Sequence, residues 1–149
     1  ERYVFMLNAV DDGYGGLEHR ASTALIAKRR DLPQQGVAVM TEGYTTLLGL
    51  ISHEYFHAWN VKRLRPAELA RIDYARENHT ALLWFFEGIT SYYDDLLLLR
   101  AGLIDAPRYL RRSTAWPPHP AARCRASRKR ASTPGSSTTA ATRTRPTRR

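Results

Sequence analysis

Two histidines four residues apart, with a glutamate beside the first, constrain this chain more than any other feature: His53-Glu54-Tyr55-Phe56-His57. On a helix, residues i and i+4 share a face, so both imidazoles are presented to one point, as a zinc ion requires. Glu54 lies next to that point. It can reach a water activated by the ion and take its proton, rather than bind the ion itself. The flanks are apolar, Leu48-Gly49-Leu50-Ile51 before and Ala58-Trp59 after. A buried His-Glu-His set without a cation is costly to satisfy. The segment therefore reads as a metal-binding helix in a domain interior, not as surface histidines beside a solvated acid.

A catalytic zinc site needs a third protein ligand and an open fourth position. Glu87 is the best candidate. It stands 30 residues after His57, inside the apolar run Leu83-Trp84-Phe85-Phe86-Glu87-Gly88-Ile89-Thr90. An acid so placed needs a partner, either a cation or a basic side chain. Glu77 and His79 are weaker candidates, since they fall in a loop or cap.

The rest of the chain organises around these two helices. Tyr3 to Val10 is apolar and β-prone and reads as a strand. Asp11-Asp12-Gly13 and Gly15-Gly16 punctuate it as a turn, and Leu17 to Ala27 fits either a second strand or a helix. Thr45 or Thr46 can cap the first helix, which should run to about Trp59. Pro66 bars helix in the segment that follows. The second helix is expected from Asn78–Thr80 through Leu99, with Gly102 as its stop. The fold class is α+β, mostly helical after a short N-terminal β segment.

Charge and composition divide the chain near Ser113. Residues 1–112 hold 14 Lys/Arg and 14 Asp/Glu, so the net charge of +9 comes from the remaining segment. Residues 113–149 contain no Leu, Ile, Val, Phe, Met or Tyr. Such a tail cannot bury enough apolar surface to offset its ordering entropy, and it reads as disordered. The division is thus a partial catalytic domain over 1–112 and a basic tail over 113–149. A nucleic-acid binder using the tail is disfavoured by the neutral first part and by the tail's lack of stacking residues beyond Trp116. No apolar run reaches the ~18 residues of a membrane helix. Cys124 is the single cysteine, so no internal disulfide forms. A purely structural zinc normally closes with four protein ligands, often cysteines, and only three obvious ligands are present here.

The stretch from His53 to Pro66 resembles the active-site segment of the glycyl aminopeptidase family. Trp84 to Tyr93 resembles that family's third-ligand segment, and Tyr14-Gly15-Gly16-Leu17-Glu18-His19-Arg20 a further block. The resemblance covers about residues 1–112. It implies an incomplete gluzincin-type (thermolysin-like) catalytic domain that removes small N-terminal residues such as glycine. One Zn2+ would sit on His53, His57 and Glu87, with Glu54 as general base. It also implies that Gly15 and Gly16 lie along a peptide substrate with a free N-terminus, and that Glu18 pairs with its α-amine. The residues alone leave Glu18 open between that role and an ordinary surface acid. A zinc endopeptidase on the same scaffold is the alternative activity. Asn60, Lys62 and Arg63 match the family, and packing or support of the ligands fits them better than catalysis. Asp94 and Asp95 read as solvated helix acids before ligand-histidine partners, and Tyr92 and Tyr93 as core before oxyanion donors.

The family pattern breaks where a tyrosine is expected well after the third ligand, since no Tyr follows Tyr109. The chain, which opens on Glu1, accordingly reads as a piece with impaired activity or none. A family-like run Ser-Phe-Asp-Ala-Trp-Ile-Lys-Tyr-Tyr-Arg, read one nucleotide late, yields Ala131 to Ala140 as they stand. The tail is therefore expected to be an out-of-frame translation beginning near Ser113. The coding DNA tests this: no such run in the restored frame sinks it.

Overall fold

The structure is a computed structural model that describes residues 2–114 apart from 38, 74 and 76. Three strands, β1 (Val4–Val10), β2 (Gly15–Glu18) and β3 (Ser22–Lys28), precede three helices, α1 (Glu42–Phe56), α2 (Leu83–Arg100) and α3 (Ala106–Thr114). The α+β expectation holds. The segment read as either strand or helix forms two strands, and Gly15 and Gly16 belong to β2 rather than to the turn before it.

The sheet order is β1-β3-β2. β3 runs parallel to β1, with Val4 opposite Ser22, and antiparallel to β2, with Gly15 opposite Ile26 and Glu18 opposite Thr23. As the central strand, β3 alternates. Thr23, Leu25 and Ala27 are buried, while Ile26 on the other face is 44% exposed. This is the period of two that a half-buried strand imposes. α1 packs beneath β2 and β3 on one side and against α2 on the other. Leu47 and Leu50 from α1 and Phe86 and Leu98 from α2 are buried there, each contributing about 1.5–3 kcal/mol through lost apolar exposure.

The helix ends correct the expected boundaries. α1 begins earlier, because Thr41 and not Thr45 or Thr46 is the cap. Its hydroxyl accepts the Tyr44 N–H at 3.1 Å. Thr45 is instead fully buried and donates to the Thr41 carbonyl at 2.9 Å. The helix closes at Phe56, short of Trp59. α2 begins at Leu83, later than Asn78–Thr80; Thr80 accepts the Leu82 N–H in the turn before it. Gly102 does end α2. It adopts φ 70° while its N–H and that of Leu103 return to the Leu99 and Leu98 carbonyls, both at 3.0 Å, the Schellman pattern that glycine favours. Between Pro66 and α2 the described residues form one 3-10 turn, Ala67–Leu69. α3 was not expected. Asp105 caps it by accepting the Arg108 N–H at 2.8 Å, and it extends past Arg112 to Thr114. The tail from 115 onward lies outside the described residues. No helix among the described residues is long and apolar enough to cross a membrane.

Candidate metal centre

α1 delivers His53 from its last turn and His57 as its C-cap residue, still in helical conformation. Their rings meet edge to face, with centroids 4.7 Å apart. α2 delivers Glu87, whose carboxylate lies 3.4 Å from His53 Nε2 and 3.7 Å from His57 Nε2. One donor atom from each of the three lies within 4.8 Å of the other two. Both histidines are almost fully buried, and the Glu87 side chain is about one-quarter exposed.

The other ring nitrogens fix the tautomers. His53 Nδ1 lies 3.1 Å from Asp94 Oδ2, and His57 Nδ1 lies 3.0 Å from the Asn60 carbonyl. A carboxylate and a carbonyl can only accept, so both Nδ1 atoms donate. In the neutral rings that metal binding requires, both Nε2 lone pairs then face the cluster, the orientation that ligand histidines take from their supporting acceptors. The donor set therefore fits a borderline-soft divalent ion such as zinc.

α2 supplies this support through its periodicity. Glu87, Thr90 and Asp94 are spaced by three and four residues and share one face. Asp94 is 2% exposed. Its reading as a solvated acid was wrong: it grips a histidine, and Ser52 on α1 donates to its main-chain carbonyl at 2.8 Å. Asp95 is not solvated either, since Arg112 from α3 donates to both of its oxygens at 3.0 and 2.9 Å. Asn60 ties the turn after α1 to α2, donating to the Phe86 carbonyl and to Thr90 Oγ1 at 3.0 and 3.1 Å. This is the supporting place expected of it.

Glu54 is buried, and its Oε2 has no hydrogen-bond partner among the described residues. Burial pushes its carboxyl up to about 7. The negative charges of Glu18 and Glu87 act in the same sense, while His53 and Lys62 oppose them. His53 is pulled down by burial, but its bonds to Asp94 and Glu87 outweigh that and raise it to about 9. Burial lowers His57. β2 passes so close over Glu54 that a Cβ on Gly16 would overlap the carboxylate, whereas a Cβ on Gly15 would meet open space. Glu18, at the end of β2, forms an ion pair with Lys62 at 3.0 Å, each side chain about one-quarter exposed.

Other residues fall outside the cluster. Glu77 and His79 pair with each other at 3.5 Å, largely exposed. Tyr93 stacks on Phe56 with centroids 5.2 Å apart, as core packing predicts, but Tyr92 is 58% exposed and is not core. The Lys62–Glu18 pair and the role of Thr90 were missed. The seven-residue interval between Glu87 and Asp94 was the available signal for the face they share.

A paired-histidine helix, an acid on a second helix and a glycine strand crossing a buried glutamate thus meet at one place. The chain belongs to the M61 glycyl aminopeptidase family, whose family model matches residues 46–148. It is also similar to the crystal structure of an aminopeptidase N family protein from Idiomarina loihiensis, at 48% identity and a TM-score of 0.71. That similarity covers 73% of this chain and 19% of the other. No curated protein matches the chain.

Proposed function

We propose that the protein is a gluzincin-type zinc aminopeptidase, with the ion on His53, His57 and Glu87 and with Glu54 as general base. The observation that carries this reading is the trio of donors within 4.8 Å of one another beside a buried carboxylate oxygen that has no partner among the described residues. A zinc ion supplies Lewis acidity, making water nucleophilic near neutral pH and polarising a peptide carbonyl. Glu54 accepts the proton of the water that attacks the acyl carbon. It then hands that proton to the departing amine nitrogen as the C–N bond breaks.

Gly15 and Gly16 let a substrate backbone lie against β2, which is an edge strand among the described residues. Such a strand can pair with an extended peptide. Glu18 ends that strand and holds the substrate's α-ammonium in this reading, which excludes longer N-terminal extensions. The preference for small residues such as glycine follows from the family.

Metal analysis with Glu54→Gln and Glu87→Ala tests the site. Glu54→Gln should retain zinc and lose at least about 10²-fold in turnover, whereas Glu87→Ala should lose most of the zinc. Full zinc in Glu87→Ala would refute the third ligand. Comparing free with N-acetylated peptides tests the exopeptidase action, and equal cleavage would favour an endopeptidase.

A further inference from the structure

The Lys62–Glu18 pair lies outside the ligand set, yet β2 brings it beside the buried glutamate. Lys62 leaves the turn after α1, where its N–H donates to the His57 carbonyl at 3.0 Å and its own carbonyl accepts from Arg65 at 2.7 Å. Its backbone is thus held through both its N–H and its carbonyl. Its ammonium reaches Glu18 Oε1 at 3.0 Å. The cavity it lines is otherwise bordered by Arg20, Arg63, Arg65 and Ala58. Glu18 is the acid that the ammonium reaches. Among the described residues nothing bonds to Glu18 Oε2. A carboxylate has acceptor sites on both oxygens and can hold two cationic donors.

We propose that Lys62 is a positioning residue for the substrate's amino terminus. It fixes the Glu18 carboxylate through Oε1 and leaves Oε2 to accept the α-ammonium. This rests on the reading of Glu18 as the amine anchor. Without Lys62 the Glu18 carboxylate would lose that anchor, and each binding event would have to order it.

The test measures binding to the full-length protein carrying Glu54→Gln, so that ligand is not consumed. Triglycine and N-acetyl-triglycine are titrated against this background and against the same background with Lys62→Met, Lys62→Arg, Glu18→Ala or both Glu18→Ala and Lys62→Met. Lys62→Met should weaken triglycine by about three- to tenfold and leave the acetylated peptide unchanged. Lys62→Arg should restore binding, and Lys62→Met should add nothing once Glu18 is Ala. Unchanged or tighter triglycine binding in Lys62→Met, failure of Lys62→Arg to restore it, or an equal loss in the Glu18→Ala background would each overturn the proposal. If Glu18→Ala itself spares triglycine, the anchor reading falls first. If Glu18→Ala weakens triglycine and Lys62→Met does not, only the role of Lys62 falls.

Discussion

Asp94 illustrates what a residue's environment adds to its identity. It is a carboxylate with 2% of its surface exposed, and His53 Nδ1 is its partner. Asp94→Asn keeps the shape but puts an amide where an acceptor-only group fixed the ring. Metal affinity should fall by about 10- to 100-fold, measured by competition with a chromophoric chelator. The titration of the cluster gives a second prediction. His53 is raised to about 9, so its contribution to the metal-free fold is complete below its ordinary 6.5 and disappears as pH rises through about 9. That difference is worth on the order of 3 kcal/mol. Glu54 is raised to about 7, so the fold also loses stability as pH climbs from 4.5 to about 7, and the loss persists above. Chelator-treated protein should therefore resist urea better at pH 5.5 than at pH 9.5. The reverse order would contradict both assignments. The histidine spacing was legible because it is local. Asp94 was misread because Asp94-Asp95-Leu96-Leu97-Leu98-Leu99 has no clear apolar stripe, and only packing against α1 decides which acid is buried.

At the scale of elements, β2 and α1 approach until no side chain fits between them at Gly16. Gly16→Ala would drive a methyl group into the Glu54 carboxylate, with overpacking costing about 1–3 kcal/mol. The melting temperature and the turnover should both fall. At Gly15, where a Cβ meets open space, the same change should spare the melting temperature, and thermal denaturation of the two variants makes the comparison. The glycine pair was readable as a block, but its partner was not, because the contact joins residues almost 40 positions apart in sequence. The start of α1 was obscured in a related way. Gly43 is a poor helix former, yet it sits in the first turn where a Cβ would overlap the Asp31 carboxylate, so a tertiary contact overrides propensity. α3 carried a readable cap, Asp105-Ala106-Pro107, but it is rich in arginines and buries no residue. Two of them tie it down: Arg112 to Asp95, and Arg108 to the Met40 carbonyl at 3.0 Å.

The molecule as a whole assembles its candidate site from every layer, with candidate ligands from two helices, support from the turn between them and a strand above. The first and last of these were visible in the sequence as separate blocks, and the layering that joins them was not. One strand sits at the margin of this assembly. β1 pairs only with β3 among the described residues, and Val4, Phe5, Met6 and Leu7 are 41–48% exposed on both of its faces. Such an edge is a template on which another chain can extend the sheet. In concentrated solution this chain should therefore self-associate by strand addition. Met6→Lys, a charge placed on that edge, should shift its light-scattering mass toward a single copy while leaving metal binding intact.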